Sequence, residues 1–149
     1  MQDKNQNLLY FAYGEHMNEE EMKKLCPQAR KVGMSALEGY TLCFFGRDGM
    51  GRAGLEAAPR RHVPGCVWVL PEAQAEQLDQ EADCPYFARR EIRTFSIGGM
   101  ALPALVYITV PGQQRGRPGF VAYDIMREAY AEAGLDVAIL QEAAARSAP

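Results

Sequence analysis

Two short stretches of the chain carry residue types suited to moving a proton and to holding an anion or oxyanion. Pro71 opens a segment that reads as a helix over residues 72–81. Glu81 follows Leu78 by three residues, so its side chain leans toward the same inward face. It also occupies the last helical turn, where backbone carbonyls point outward and the helix dipole is negative, and Asp79 and Asp83 add like charge nearby. Each effect works against the ionised carboxylate, which suits a group that takes up and returns a proton. A solvated glutamate at a helix end is the plainer alternative. The second stretch is Tyr13-Gly14-Glu15-His16-Met17, where a strand over residues 8–13 turns at Gly14 toward a helix capped by Asn18. Such a turn leaves backbone N–H groups converging, a site for a carboxylate or for a carbonyl oxygen gaining charge. Asn18 or water can satisfy the same amides, and then no site exists there.

Other candidates are weaker. His16 and His62 are the two histidines, and neither stands in a Ser or Cys nucleophile motif, so both read as polar or internally satisfied. Cys84 lacks a basic neighbour and reads as structural. Cys26, Cys43, Cys66 and Cys84 contain no Cys-x-x-Cys pair, so no metal site is expected. The glycines at 46, 49, 51 and 54 suggest a phosphate cradle, but no Lys-Ser/Thr ending and no helix follow them. A mobile hairpin or lid is the better reading. Arg89, Arg90, Glu91 and Arg93 read as a solvated strand face.

The elements that must position these residues follow from periodicity. Asn18-Glu19-Glu20-Glu21 is a capping-box start for a helix reaching about residue 25. Strand-like runs follow at 31–37 and 40–45, joined by a turn at Glu38-Gly39, and then at 55–58 and 66–70. Runs at 86–97 and 100–110 flank Gly98-Gly99, a two-residue hairpin turn, and two helices at 122–133 and 137–145 are broken at Gly134. Strands with inserted and appended helices predict an α+β fold, with a small, mostly antiparallel β-barrel and flanking helices.

The 149 residues suit a single domain spanning 1–149. With 48% apolar and 23% charged residues, the chain is expected to fold. A net charge of -3 argues against nucleic acid as a partner. The longest apolar stretch, residues 102–110, is interrupted by Pro103 and too short to span a membrane. The polar opening (Gln2, Asp3, Lys4, Asn5) does not read as a secretory leader, so a cytoplasmic protein with reduced cysteines is expected.

Four segments, in order, resemble the γ-glutamylcyclotransferase (AIG2-like) family. Tyr10-Phe11-Ala12-Tyr13-Gly14 with Met17 is similar to its opening Tyr-Gly-Ser-Asn-Met/Leu, and Gly65-Cys66-Val67-Trp68-Val69-Leu70 to the strand feeding its helix. Leu78-Asp79-x-Glu81 followed by Tyr86 resembles the helix end that carries the family's glutamate, and residues 118–135 its C-terminal Pro-x-x-x-Tyr…Gly-Leu helix. Phe120 and Tyr123 both lie near that tyrosine's position, with Tyr123 preferred.

The resemblance implies a cofactor-free reaction on a small γ-glutamyl amine or peptide. The α-amine attacks its own γ-carbonyl and releases 5-oxoproline and a free amine or amino acid. It makes Glu81 the acid/base and places Tyr13, Gly14, Glu15, His16, Met17, Tyr86 and Tyr123 around the substrate. Glu15-His16 replaces the family's Ser-Asn and sets a carboxylate beside a site meant for one. That change keeps open an alternative, a non-catalytic small-molecule-binding protein on the same fold. A hydrolase of the same bond is a third reading.

Overall fold

The computed structural model describes residues 6–149, so the polar residues Gln2 to Asn5 of the opening lie outside the described residues. Strand β1 (Asn7–Ala12) runs through the middle of a five-stranded sheet in which β2 (Arg30–Phe45), β3 (Arg52–Pro71), β1, β5 (Met100–Thr109) and β4 (Ala88–Ile97) lie in that order. β1 is antiparallel to β3 along its whole length, from Asn7↔Pro71 to Ala12↔Cys66. Its pairing with β5 is parallel, through Tyr10↔Leu105. Side chains from this central trio form much of the core: Phe11, Val67, Trp68 and Val106 are all buried. Phe11 stacks on Phe95 of β4 with ring centroids 4.4 Å apart.

Two sequence expectations give way here. The turn expected at Glu38-Gly39 is a bulge inside one 16-residue strand, with a register shift between Glu38 and Tyr40 and φ of +87° at Gly39. Glycine adopts that backbone without a Cβ clash, so the chain bends there and stays in the ladder. The short runs at 55–58 and 66–70 are likewise parts of a single 20-residue strand. The second correction concerns the barrel, because the sheet is open. The outer strands β2 and β4 meet only through side chains: Ser35 Oγ donates to the Ser96 carbonyl at 2.8 Å, and the Arg93 guanidinium lies 5.9 Å from the Tyr40 ring centroid. Closure requires a backbone ladder across that seam.

The β4–β5 hairpin turns at Gly98 and Gly99, with φ of +57° and +83°, as the paired glycines predict. Four helices surround the sheet: α1 (Glu19–Leu25), α2 (Ala75–Glu81), α3 (Phe120–Glu132) and α4 (Ala138–Arg146). Asn18 caps α1 by accepting from Glu20 N at 3.1 Å, and its amide reaches the Ile125 carbonyl of α3 at 3.1 Å. α3 ends at the left-handed Gly134, φ +73°, with Leu135 N bonded back to the Tyr130 carbonyl at 2.8 Å. Beyond α4 the buried Ser147 hydroxyl accepts from Phe44 N and donates to the Ala143 carbonyl, both at 2.7 Å, tying this end of the chain to β2. Among the described residues, no helix is long and apolar enough to cross a membrane.

Candidate active site

The two sequence candidates, far apart along the chain, line one cleft of about 340 Å³. Gly14, Glu15 and His16 form one wall and the end of α2, with Leu78, Glu81 and Ala82, another. Tyr10, Tyr13 and Tyr107 lie at the same cleft, and Met50 and Arg52 approach from the start of β3. A wider groove of about 1030 Å³ beside β1 and β5 contains neither candidate.

β1 leads directly into the first wall. After Gly14 the chain makes a single 3-10 turn, with Met17 N bonded to the Gly14 carbonyl at 3.1 Å and Asn18 N to that of Glu15 at 2.9 Å. The N–H groups of Gly14, Glu15 and His16 find no protein acceptor among the described residues, so three adjacent donors stand beside the cleft. The turn is pinned from below. Trp68 Nε1 donates to the His16 carbonyl at 2.8 Å, and the Tyr10 hydroxyl hydrogen-bonds His16 Nδ1 at 2.9 Å. Burial lowers the His16 pKa against the opposing pull of Glu81 and Glu21, which favours the neutral imidazole. Desolvation raises the Glu15 carboxyl, and the charges of Glu21 and Glu81 raise it further.

Glu81 is the last residue of α2 and is exposed to solvent within the cleft. Among the described residues its carboxylate takes part in no ion pair; the polar contact at Glu81 is made by its backbone carbonyl, which accepts from Arg52 Nη2 at 2.6 Å. Asp79, one turn-fraction earlier, is engaged instead. Tyr107 Oη donates to its Oδ1 at 2.6 Å, Arg90 Nε donates to Oδ1 at 2.9 Å, and Arg90 Nη2 to Oδ2. Desolvation opposes ionisation there, yet the bonds from Arg90 and Tyr107 hold the Asp79 carboxyl below the usual carboxylate range.

Arg52 escaped the sequence reading. Its guanidinium carbon sits 4.4 Å from the Phe87 ring centroid while Nη2 holds the Glu81 carbonyl. Its position depends on two loops that are joined backbone to backbone. Gly46 N bonds Gln114 O at 2.7 Å, Gly51 N bonds Arg117 O at 2.9 Å, and Arg117 pairs with Asp48 at 2.6 Å. A Cβ on Gly51 would stand 2.1 Å from the Gly116 carbonyl oxygen, and one on Gly116 2.1 Å from that of Gly46. The glycines therefore permit close chain approach; the loop read as a mobile lid is one half of a zipped pair. The glycine spacing was the available signal of that approach, but nothing local marks its destination at the end of α2.

The remaining sequence candidates fall elsewhere. Met17 is buried behind the turn, Tyr86 is 78% exposed, and Tyr123 packs partly buried against the core; none of the three lines the cleft. Phe120, the other candidate for the family tyrosine, is 85% exposed. His62 lies on β3 opposite Glu38, away from the cleft.

No curated protein matches the sequence. Among solved structures, one named a γ-glutamyl cyclotransferase superposes with a TM-score of 0.80 at 20% identity, covering 93% of this chain and 86% of that one. YkqA from Bacillus subtilis gives a TM-score of 0.78 at 18% identity, covering 95% of this chain and 54% of its own. A yeast γ-glutamyl cyclotransferase specific to glutathione gives 0.66 at 12% identity, covering 97% and 98%. At these identities the likeness is one of fold. The family model described as gamma-glutamyl cyclotransferase, AIG2-like, matches residues 10–127, which take in β1, the Gly14 turn, α2 and the start of α3, and the chain belongs to that family.

Proposed function

We propose that the protein is a γ-glutamyl cyclotransferase that converts a γ-glutamyl amine or small γ-glutamyl peptide to 5-oxoproline and a free amine or amino acid, with Glu81 as the acid/base. The observation that carries this reading is the meeting of the Glu81 helix end and the Gly14–His16 amides across one cleft. The family membership supports the reaction class.

The chemistry divides between the two walls. The substrate's α-ammonium gives a proton to the Glu81 carboxylate, and its nitrogen lone pair then attacks the γ-carbonyl carbon of the same molecule. The carbonyl oxygen gains negative charge within reach of the unpartnered Gly14, Glu15 and His16 amides. Collapse of the tetrahedral intermediate breaks the γ-carbon–nitrogen bond; Glu81 returns its proton to the departing nitrogen, takes the second proton from the attacking nitrogen so that the lactam leaves neutral, and passes that proton to the released amine. Nucleophile and electrophile belong to one molecule, so the cleft's main task is to hold it folded.

The test is a mass-spectrometric screen of the purified protein against γ-glutamyl amines and peptides, with Glu81→Gln alongside. Lactam formed by the wild type and not by the variant is the expected result. Free glutamate instead of lactam would identify a hydrolase. No product across the panel, with ligand-induced thermal stabilisation retained, would identify the binding protein. A companion variant, Glu15→Ser with His16→Asn, is expected to shift selectivity across the panel.

A further inference from the structure

Arg52, at the start of β3 and beside the end of α2, holds no carboxylate among the described residues although it lines a cleft with two of them. Arg90, Arg93, Arg115, Arg117 and Arg127 each hold a carboxylate. Arg52 lines a cleft with two glutamates, yet among the described residues it is in salt-bridge contact with neither and bonds a neutral carbonyl instead. A guanidinium carries five N–H donors in a planar fork, and the bond to Glu81 O uses one nitrogen, Nη2. Phe87 covers one face of the plane and fixes its tilt. Donors at the rest of the fork are left for an acceptor that the protein does not supply.

We infer that Arg52 is a specificity residue that receives the α-carboxylate of the γ-glutamyl group. The inference rests on the reaction class proposed above and adds the group that orients the substrate. Charge balance requires such a group. A γ-glutamyl compound brings a carboxylate into a cleft already holding Glu15 and Glu81, where burial disfavours a charged His16. Arg52 is the cation lining the cleft. A planar fork matches a carboxylate with two parallel hydrogen bonds.

Covalent geometry then selects which carboxylate binds. The α-amine and α-carboxylate share one carbon, and Arg52 is bonded to the backbone of Glu81 itself. A carboxylate seated on Arg52 therefore brings its own amine to the residue that must deprotonate it. A carboxylate on the departing amino acid lies across the γ-carbonyl and gains nothing from that coupling. With the α-carboxylate on Arg52, the Gly14–His16 amides are left to the γ-carbonyl oxygen.

The experiment uses the whole protein and two ligands of nearly equal shape, 5-oxoproline and 5-oxoprolinamide, which differ in the charge of one group. Calorimetry should show the wild type preferring the carboxylate by about fiftyfold, the worth of a charge-assisted pair. Arg52→Gln should bind both alike, and Arg52→Lys should recover part of the preference. Turnover is measured in parallel on a γ-glutamyl alkylamide, which has only the α-carboxylate, and on a γ-glutamyl amino acid, which has two. Arg52→Gln should raise KM on both substrates. A preference undiminished in Arg52→Gln, or absent from the wild type, would overturn the inference and leave Arg52 as a cap for α2. A KM effect confined to the γ-glutamyl amino acid would overturn it in favour of the departing group's carboxylate. Absence of lactam from the wild type would sink the reaction class alone, because the binding comparison does not depend on turnover. Should Arg52→Gln fail to fold, Arg52→Lys and the wild-type ligand pair decide the matter.

Discussion

Each side of α2 sets an acid beside an arginine, and the two sides use the pair in opposite ways. Toward β4 and β5, Arg90 takes the carboxylate of Asp79 through Nε and Nη2, and Tyr107 adds a third bond. Toward the cleft, Arg52 takes the backbone carbonyl of Glu81 and leaves its carboxylate alone. In the first pair the charges cancel and the gain goes into holding the helix against the sheet. In the second, both charged groups remain available to a third party. A seven-residue helix is too short to be stable by itself, so the Asp79 side supplies an anchor that lets the Glu81 side stay uncommitted.

Glu81→Gln probes that contrast most strongly. It should lower kcat for lactam formation by about a thousandfold, the middle of the range for loss of an acid/base. The thermal midpoint should move by no more than about 1 °C, because an exposed side chain without an ion-pair partner contributes little. A variant that unfolds would mark Glu81 as structural and dissolve the distinction. Gly51→Ala acts on the arginine of the same side. Its Cβ meets the Gly116 carbonyl, so the zipped loops must part; stability should drop by about 2 kcal/mol and Arg52 should lose its seat. Melting curves and the 5-oxoproline affinity should fall together, and an intact affinity would show that Arg52 does not depend on the loop.

Asp79→Asn tests the committed side. A loss of about 1 kcal/mol is expected at neutral pH, discounted for partial solvent exposure of the pair. The folded pKa of Asp79 lies below its unfolded value. Its stabilisation is therefore full above the ordinary carboxylate pKa, about 3.9, and fades as pH falls through the lower folded value. Wild type and variant should converge in thermal midpoint once pH has fallen below the folded pKa of Asp79, and a gap that persists in strong acid would show that charge is not the cause. Tyr107→Phe should be the mildest change, about 0.5 kcal/mol. An NMR titration should find the Asp79 pKa moved back toward its ordinary value while Arg90 remains in place.

How much of this was legible in the sequence depends on the range of each interaction. The Gly14 turn, the Asn18 cap, the Gly98-Gly99 hairpin and the break at Gly134 are written in neighbouring residues, and each forms where the local pattern puts it. Glu38-Gly39 misleads because a bulge and a turn draw on the same residue types, and only the partner strand decides between them. The Leu78-to-Glu81 spacing marks Glu81 as a candidate at the end of α2, and the family resemblance is what links that helix end to the Gly14 turn. Arg52 escapes a sequence reading, because it contacts residues 81 and 87, far along the chain, and the neighbouring glycines signal a close approach without showing where it leads. Tyr86 and Tyr123, carried over from a family pattern, stand outside the lining for a related reason: a motif fixes position along the chain, and the side chain's direction depends on packing.

The seam between β2 and β4 has a consequence for how the protein behaves in a crowded solution. An unpaired outer strand is a template onto which another chain can add, and that is how many sheets begin to aggregate. Here the Ser35 hydroxyl occupies the Ser96 carbonyl, Arg93 lies near Tyr40, and Ile97 Cγ2 sits 3.5 Å from where a Cβ on Gly33 would stand. An incoming strand would have to displace these contacts before it could pair with either margin. The incomplete barrel thus shields its two open edges with each other.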